Sequence, residues 1–165
     1  MSAASPRTKQ NNPGVVLDTN AALDWLVFGA PSMTAVAVAI SGGHVRWLAC
    51  ASMRLELEHM LKHPSLARWQ HDPAVALQIF DSCAVHMPEP QLGADARLRC
   101  TDPDDQVFID LAIATPAHWL LTHDHALLKL AKRARRLGVQ VLRPADWPGP
   151  APLLASAPTK VISAP

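Results

Sequence analysis

The segment Gly14-Val-Val-Leu17 constrains this chain more than any other: an unbroken apolar run with two β-branched residues, closed at once by Asp18. A half-exposed strand would alternate apolar and polar residues, so a continuous run of this kind suits a strand buried on both faces. Such a strand needs a layer above it and a layer below it, and the rest of the chain supplies both. A helical stretch follows from Ala21 to Phe28, and Pro31 opens another to about Ile40, ended by Gly42-Gly43. Val45-Arg-Trp-Leu-Ala-Cys50 reads as a second strand. Ser52 is then placed to cap a helix whose apolar positions Met53, Leu57, Met60 and Leu61 fall at helical spacing. Asp72-Pro73 starts the next helix, to about Cys83, and the polar turn Thr101-Asp-Pro-Asp-Asp105 precedes a helix from Gln106 to Thr115. Trp119-Leu-Leu121 reads as a strand, His125 to Leu137 as a helix stopped by Gly138, and Val139-Gln-Val-Leu142 as a last strand. Strands alternating with helices build βα units, so the expected fold is a three-layer α/β/α sandwich around a central parallel sheet.

Composition agrees with one such domain. The chain has 165 residues, 49% of them hydrophobic and 18% charged, which is too apolar for a disordered protein and the right length for a single core. The domain is expected over 14–147. Residues 1–13 are polar and read as a flexible leader. Six of the 22 residues 144–165 are proline, so 148–165 reads as a disordered tail that neither a helix nor a sheet centre could absorb. Cys50, Cys83 and Cys100 form no CxxC pair, no signal-peptide stretch opens the chain, and no apolar run approaches the ~20 residues of a membrane span. Zinc-ribbon, secreted and membrane classes are therefore set aside, and a cytoplasmic protein with reduced thiols is expected. The net charge of +1 predicts no nucleic-acid partner by itself; any such argument must rest on local clusters.

The carboxylates fall where that scheme gives them meaning. Asp18 stands just past the end of the first strand and Asp124 just past the end of Trp119–Leu121. Asp104 and Asp105 open one helix, and Glu56 lies in the first turns of another. Open parallel sheets bind ligands in the crevice beyond the carboxyl ends of their strands. Acids gathered there repel one another, and an oxygen-only donor set favours a hard cation such as Mg²⁺ or Mn²⁺. Against this stand plainer roles: Asp104 and Asp105 as a helix cap and a dipole partner, Glu56 as a solvated helix residue.

In this order and spacing the segments resemble a known family. Val15-Val-Leu-Asp-Thr-Asn20 is similar to the opening motif of PIN-domain nucleases. Asp102-Pro-Asp-Asp105, followed by Phe108 and Leu111-Ala-Ile-Ala114, resembles their third acidic motif. Leu120-Leu-Thr-His-Asp124, followed by Leu127-Leu128, resembles the fourth, and Leu142-Arg-Pro-Ala-Asp-Trp147 resembles the last strand of the bacterial group described as toxin components. The resemblance spans roughly 14–147. It implies Asp18, Glu56, Asp105 and Asp124 as the catalytic, metal-holding acids, with Asp104 a near competitor of Asp105. Thr19, Asn20 and Thr122 match the polar positions that hold the carboxylates. The second motif departs most, because Ala51-Ser-Met-Arg-Leu-Glu56 is less acidic than usual. The implied activity is metal-assisted hydrolysis of single-stranded RNA by one or two Mg²⁺ or Mn²⁺ ions, leaving 5′-phosphate and 3′-hydroxyl ends. The implied setting is a toxin–antitoxin pair with a small antitoxin partner, and it admits a homodimer. A PIN-fold module that binds nucleic acid or protein without catalysis is the alternative.

Other constellations carry less. A phosphoaspartate phosphatase needs a second Asp two positions after Asp18, where this chain has Asn20. Glu56, His59 and His63 share a helix face as a transition-metal set would, although solvent-facing histidines explain them as well. His123 and His125 flank Asp124 and could touch a substrate phosphate. Lys129, Lys132, Arg133, Arg135 and Arg136 crowd one helix, whose buried stripe is Leu127, Leu130, Ala131, Ala134 and Leu137. They read equally as a solvated face near a helix C-terminus and as contacts to a nucleic-acid backbone, with Lys129, Lys132, Arg133 and Arg136 the candidates.

Overall fold

The computed structural model describes residues 12–150, so 1–11 of the expected leader and 151–165 of the expected tail lie outside the described residues. Five parallel strands form one sheet of order β3-β2-β1-β4-β5, with β1 (Gly14–Leu17) at its centre, β2 (Arg46–Ala49) and β3 (Ala84–His86) on one side, β4 (Ala117–Leu121) and β5 (Gln140–Leu142) on the other. All four residues of β1 are buried, as an unbroken apolar run requires. Val15 pairs with Trp47 of β2 and with Trp119 of β4, and Leu17 with Leu121. Gly14 sits where β1 shifts its register against β4. A Cβ there would lie 2.7 Å from the Leu48 side chain and 3.0 Å from the Pro116 carbonyl oxygen, so the close approach needs glycine. Asn12 and Pro13 are tied to the sheet, since their carbonyls accept from Arg46 Nε and Arg46 N at 2.9 Å each.

Helices α1 (Thr19–Leu26), α2 (Thr34–Ser41), α3 (Ala51–Leu61), α4 (Pro73–Cys83), α5 (Gln106–Ala114), α6 (His125–Leu128) and α7 (Ala131–Arg136) complete the three-layer α/β/α sandwich. Trp47 anchors one half of the core, with ring centroids 5.3 Å from Trp25 and 4.8 Å from Phe80. Trp119 anchors the other, edge-on to Trp147 at 5.6 Å, which is how the Arg-Pro-Ala-Asp-Trp segment closes the domain. No single helix among the described residues is long and apolar enough to cross a membrane.

One strand is added and two local expectations change. The strand Ala84–His86 has no alternating or continuous apolar signal, because it is a short edge strand with two exposed residues. Ser52 does not cap α3: Cys50 holds the cap position without a side-chain bond, and Ser52 gives its amide (2.7 Å) and hydroxyl (2.8 Å) to Glu89, from the segment after β3. The stretch His125 to Leu137 is two helices. Leu130 bonds back to Leu127 and Arg133 to Leu130, three residues each, and this tighter turn sets Leu127 and Leu130 on the same buried side.

Candidate active site

The chain runs from β1 outward to β2 and β3, then returns across β1 to β4, so the direction of winding reverses between β1 and β4. At that reversal the two connections leave the sheet in opposite directions and open a crevice beyond the strand ends. Asp18 follows β1 directly, and Thr122 follows β4. The Asp18 amide continues the strand ladder to Leu121 at 3.1 Å, which fixes its backbone. Its Oδ1 accepts from the Ala21 amide at 2.6 Å and so caps α1. Its Oδ2 accepts from the Thr122 hydroxyl and from the His123 amide, the latter at 3.3 Å. The same hydroxyl oxygen takes the Asp124 amide at 2.9 Å, and Asp124 Oδ1 caps α6 through the Ala126 (2.6 Å) and Leu127 amides. Thr122, completely buried, is thus the hinge between two carboxylates that each start a helix.

Two more acids approach from the helical layers. Thr19 Oγ1, one residue after Asp18, donates to Glu56 Oε1 of α3 at 2.9 Å. Asp105 occupies the cap position of α5 but makes no capping bond; its carboxyl group lies close enough to that of Asp124 to be raised by it. Asp104 is exposed and caps nothing either. The turn before the helix is closed by Asp102, whose Oδ1 accepts from the Asp104 amide at 3.0 Å, and α5 has no side-chain cap. An Asp-Pro pair is the sequence signal for such a turn. Asn20 is exposed in the first turn of α1.

The electrostatics follow from the crowding. Burial raises the Asp18 carboxyl above its ordinary range, against the lowering effect of the Thr122 and Ala21 bonds. Glu56 is raised by burial and further by Asp104, Asp18 and Asp102, with the Thr19 bond opposing. Asp105 is pushed up to about 7 by burial and by Asp124 beside it. No lysine or arginine forms an ion pair with Asp18, Glu56, Asp104, Asp105 or Asp124 among the described residues. Four carboxylates and two hydroxyls therefore share a crevice as hard oxygen donors with an unbalanced negative charge, which fits a hard divalent cation in chemistry. As the side chains stand, no three acidic, histidine or cysteine groups among the described residues are closed around an ion position.

Several singled-out residues lie elsewhere. His59 is exposed, and His63 closes the next turn through Ser65, so neither joins Glu56. His123 turns its ring to Asp24 of α1 at 2.6 Å, and His125 is exposed. Lys129, Lys132, Arg133, Arg135 and Arg136 are all exposed and unpaired among the described residues. A further network had no local signal: Gln106 bonds the main chain at Cys100 (2.8 Å) and Leu98 (2.7 Å), and with Arg97 it satisfies the buried Asp110.

Comparison with known proteins bears on these elements. A family model described as the PIN domain matches residues 14–126. No curated protein matches the chain. Among solved structures, the crystal structure of VapBC2 from Rickettsia felis bound to a DNA fragment from their promoter contains a similar chain, at a TM-score of 0.53 and 17% identity. The match covers 78% of this chain and 98% of that one. At that identity the likeness speaks for the fold.

Proposed function

The chain belongs to the PIN-domain family, and from that premise we propose that it is a Mg²⁺- or Mn²⁺-dependent endoribonuclease acting on single-stranded RNA as the toxin of a toxin–antitoxin pair. The observation that carries the reading is the meeting of Asp18, Glu56, Asp105 and Asp124 in one crevice with no lysine or arginine paired to them among the described residues. Asp18 and Asp124 serve the fold as caps, but gathering Glu56 and Asp105 beside them adds repulsion that a bound cation would offset.

Asp18, Asp105, Asp124 and Glu56 would hold the ion, with Asp104 near them on the exposed side of the turn. A bound divalent ion supplies Lewis acidity, activating water and offsetting charge on the departing oxygen. The protein's part is positioning. Thr122 and the α1 and α6 amides fix Asp18 and Asp124 so that each keeps one oxygen turned away from its cap. Thr19 fixes Glu56 in the same way. Asp105, raised to about 7 by burial and by Asp124 beside it, would have to give up its proton to hold the ion. Hydrolysis adds water across the P–O3′ bond: the P–O bond to water forms, the bond to O3′ breaks, and 5′-phosphate and 3′-hydroxyl ends remain. Lys129, Lys132, Arg133 and Arg136 offer contacts to the RNA backbone. The similar Rickettsia felis structure is VapBC2 on a fragment of promoter DNA, which supports a small antitoxin protein as the partner; a short reading frame beside this gene encoding a DNA-binding protein would favour it further.

The test is cleavage of a labelled single-stranded RNA by the purified protein with and without Mn²⁺. Mn²⁺-dependent fragments bearing 5′-phosphate are expected. No cleavage in Mn²⁺ at any protein concentration that binds the RNA would leave the non-catalytic binding module.

A further inference from the structure

Beside the acidic crevice lies an open cavity of about 530 Å³ that the acids do not line. Its wall is formed by Arg97, Arg99 and Cys100, and Pro103 and Gln106 bring it against the turn that carries Asp102, Asp104 and Asp105. Leu98 is buried in the core, whereas Arg97 and Arg99 on either side are exposed. Both arginines line the cavity. The wall is held in place. Gln106 Oε1 accepts the Cys100 amide and Gln106 Nε2 donates to the Leu98 carbonyl, much as a neighbouring strand would. Arg97 is pinned through Nε to Asp110 Oδ2 at 3.0 Å, on a carboxylate only 8% exposed. Arg99 has no acidic partner among the described residues. Cys100, on the same wall, has its thiol raised by burial and by Asp105, Asp124 and Asp102, which places the cavity within electrostatic reach of the acids.

We propose that this cavity seats the nucleotide flanking the scissile bond, with the Arg99 guanidinium on that nucleotide's phosphate and its base or ribose in the cavity. The proposal rests on the nuclease reading above. A polyanion laid across the crevice meets a row of carboxylates, and only the scissile phosphate is compensated by a cation held there. The next phosphate needs a protein cation of its own. A guanidinium matches a phosphate with two parallel N–H donors, and Arg99 is the one on this wall not already committed to a carboxylate. Arg97 has the structural duty of satisfying Asp110, so its removal would leave a buried charge unpaired. Arg99 is the clean variant.

The experiment compares wild type and Arg99→Ala on two substrates in Mn²⁺: a labelled single-stranded oligoribonucleotide and a dinucleotide that contains the scissile phosphate alone. On the oligoribonucleotide, KM is expected to rise about tenfold with kcat within about twofold, the loss of one charge-assisted contact. On the dinucleotide the two proteins should be equal, because the next phosphate, the one Arg99 would hold, is missing. Equal KM on the longer substrate, or the same loss on the dinucleotide, overturns the subsite. Binding of the oligoribonucleotide without metal, read by fluorescence anisotropy, separates this proposal from the nuclease reading. If wild type binds about tenfold more tightly than Arg99→Ala yet never cleaves, the subsite stands and catalysis falls. If wild type cleaves but Arg99→Ala binds as well, catalysis stands, and the arginine serves another anion, such as an acidic protein segment.

Discussion

Asp18 and Asp124 reach the crevice as helix caps, while Glu56 and Asp105 reach it capping nothing. For the first pair one carboxylate oxygen is spent on backbone amides of α1 or α6, so fold and site use the same side chain. For the second pair the side chain faces other acids: Glu56 is held by a single hydroxyl, and Asp105 leans on Asp124 itself. The strand-end acids are therefore stabilising groups recruited to a site. The helix-borne acids oppose folding until a cation arrives. Mutations at the two pairs should move stability in opposite directions, even where they harm activity alike.

The largest effect expected is on catalysis. Asp105→Asn should lose several orders of magnitude in RNA cleavage with unchanged circular dichroism, whereas Asp104→Asn, at an exposed position with no capping bond to lose, should keep most of it. Comparable losses from both would erase the distinction between the acid turned into the crevice and its exposed neighbour. Metal binding comes next. Mn²⁺ at a hundred times its dissociation constant should stabilise the fold by about 2.7 kcal/mol, visible as a rise in Tm, and Asp18→Asn should remove most of the rise. Wild type and variant melting alike across millimolar Mn²⁺ would show that the acids hold no ion.

In metal-free protein the comparison becomes a difference of sign. Asp18→Ala removes a cap and strands the Thr122 hydroxyl, at a cost of about 2–3 kcal/mol in urea unfolding. Asp105→Ala should leave stability equal or higher, since it relieves repulsion at Asp124. Destabilisation by both would mean that Asp105 has a structural duty after all. The pH dependence has the same origin. A carboxyl raised from 3.8 to about 7 in the folded state binds its proton more tightly there than in the unfolded chain. Its contribution is full below pH 3.8 and is lost as pH rises through 7. Metal-free protein should accordingly melt lower at pH 8 than at pH 5, and Asp105→Asn should flatten that profile. The smallest effect lies far from the acids. If α7 contacts RNA, Lys132→Ala with Arg136→Ala should reduce the slope of log K against log salt by about 0.7 per lost contact, leaving Mn²⁺ stabilisation intact. An unchanged slope would assign those cations to the solvated face.

Local pattern was enough for much of this protein. A continuous apolar run reads as a doubly covered strand wherever it stands, and Gly14–Leu17 is buried throughout. Asp72-Pro73 opens α4 with Asp72 capping it, as a cap followed by proline should. The positions of Asp18 and Asp124 at strand ends were legible for the same reason, since each depends only on the residues beside it. What the pattern could not supply was any relation between distant segments. The edge strand Ala84–His86 exists because β2 is there to pair with it. Ser52 lost its capping role to Glu89, 37 residues away, and Asp104 caps nothing in the turn that Asp102 closes. The Gln106–Asp110–Arg97 bracket behind the arginine cavity joins a loop to a helix that no periodicity connects. The hinge of the site is of this kind too, because Thr122 meets Asp18 across 104 residues of chain. Side-chain periodicity and capping are properties of neighbours in sequence, set by backbone geometry. Which hydroxyl orients which carboxylate, and which acids raise one another's pKa, depends on distances of a few ångströms that exist only once the sheet has closed β1 against β4.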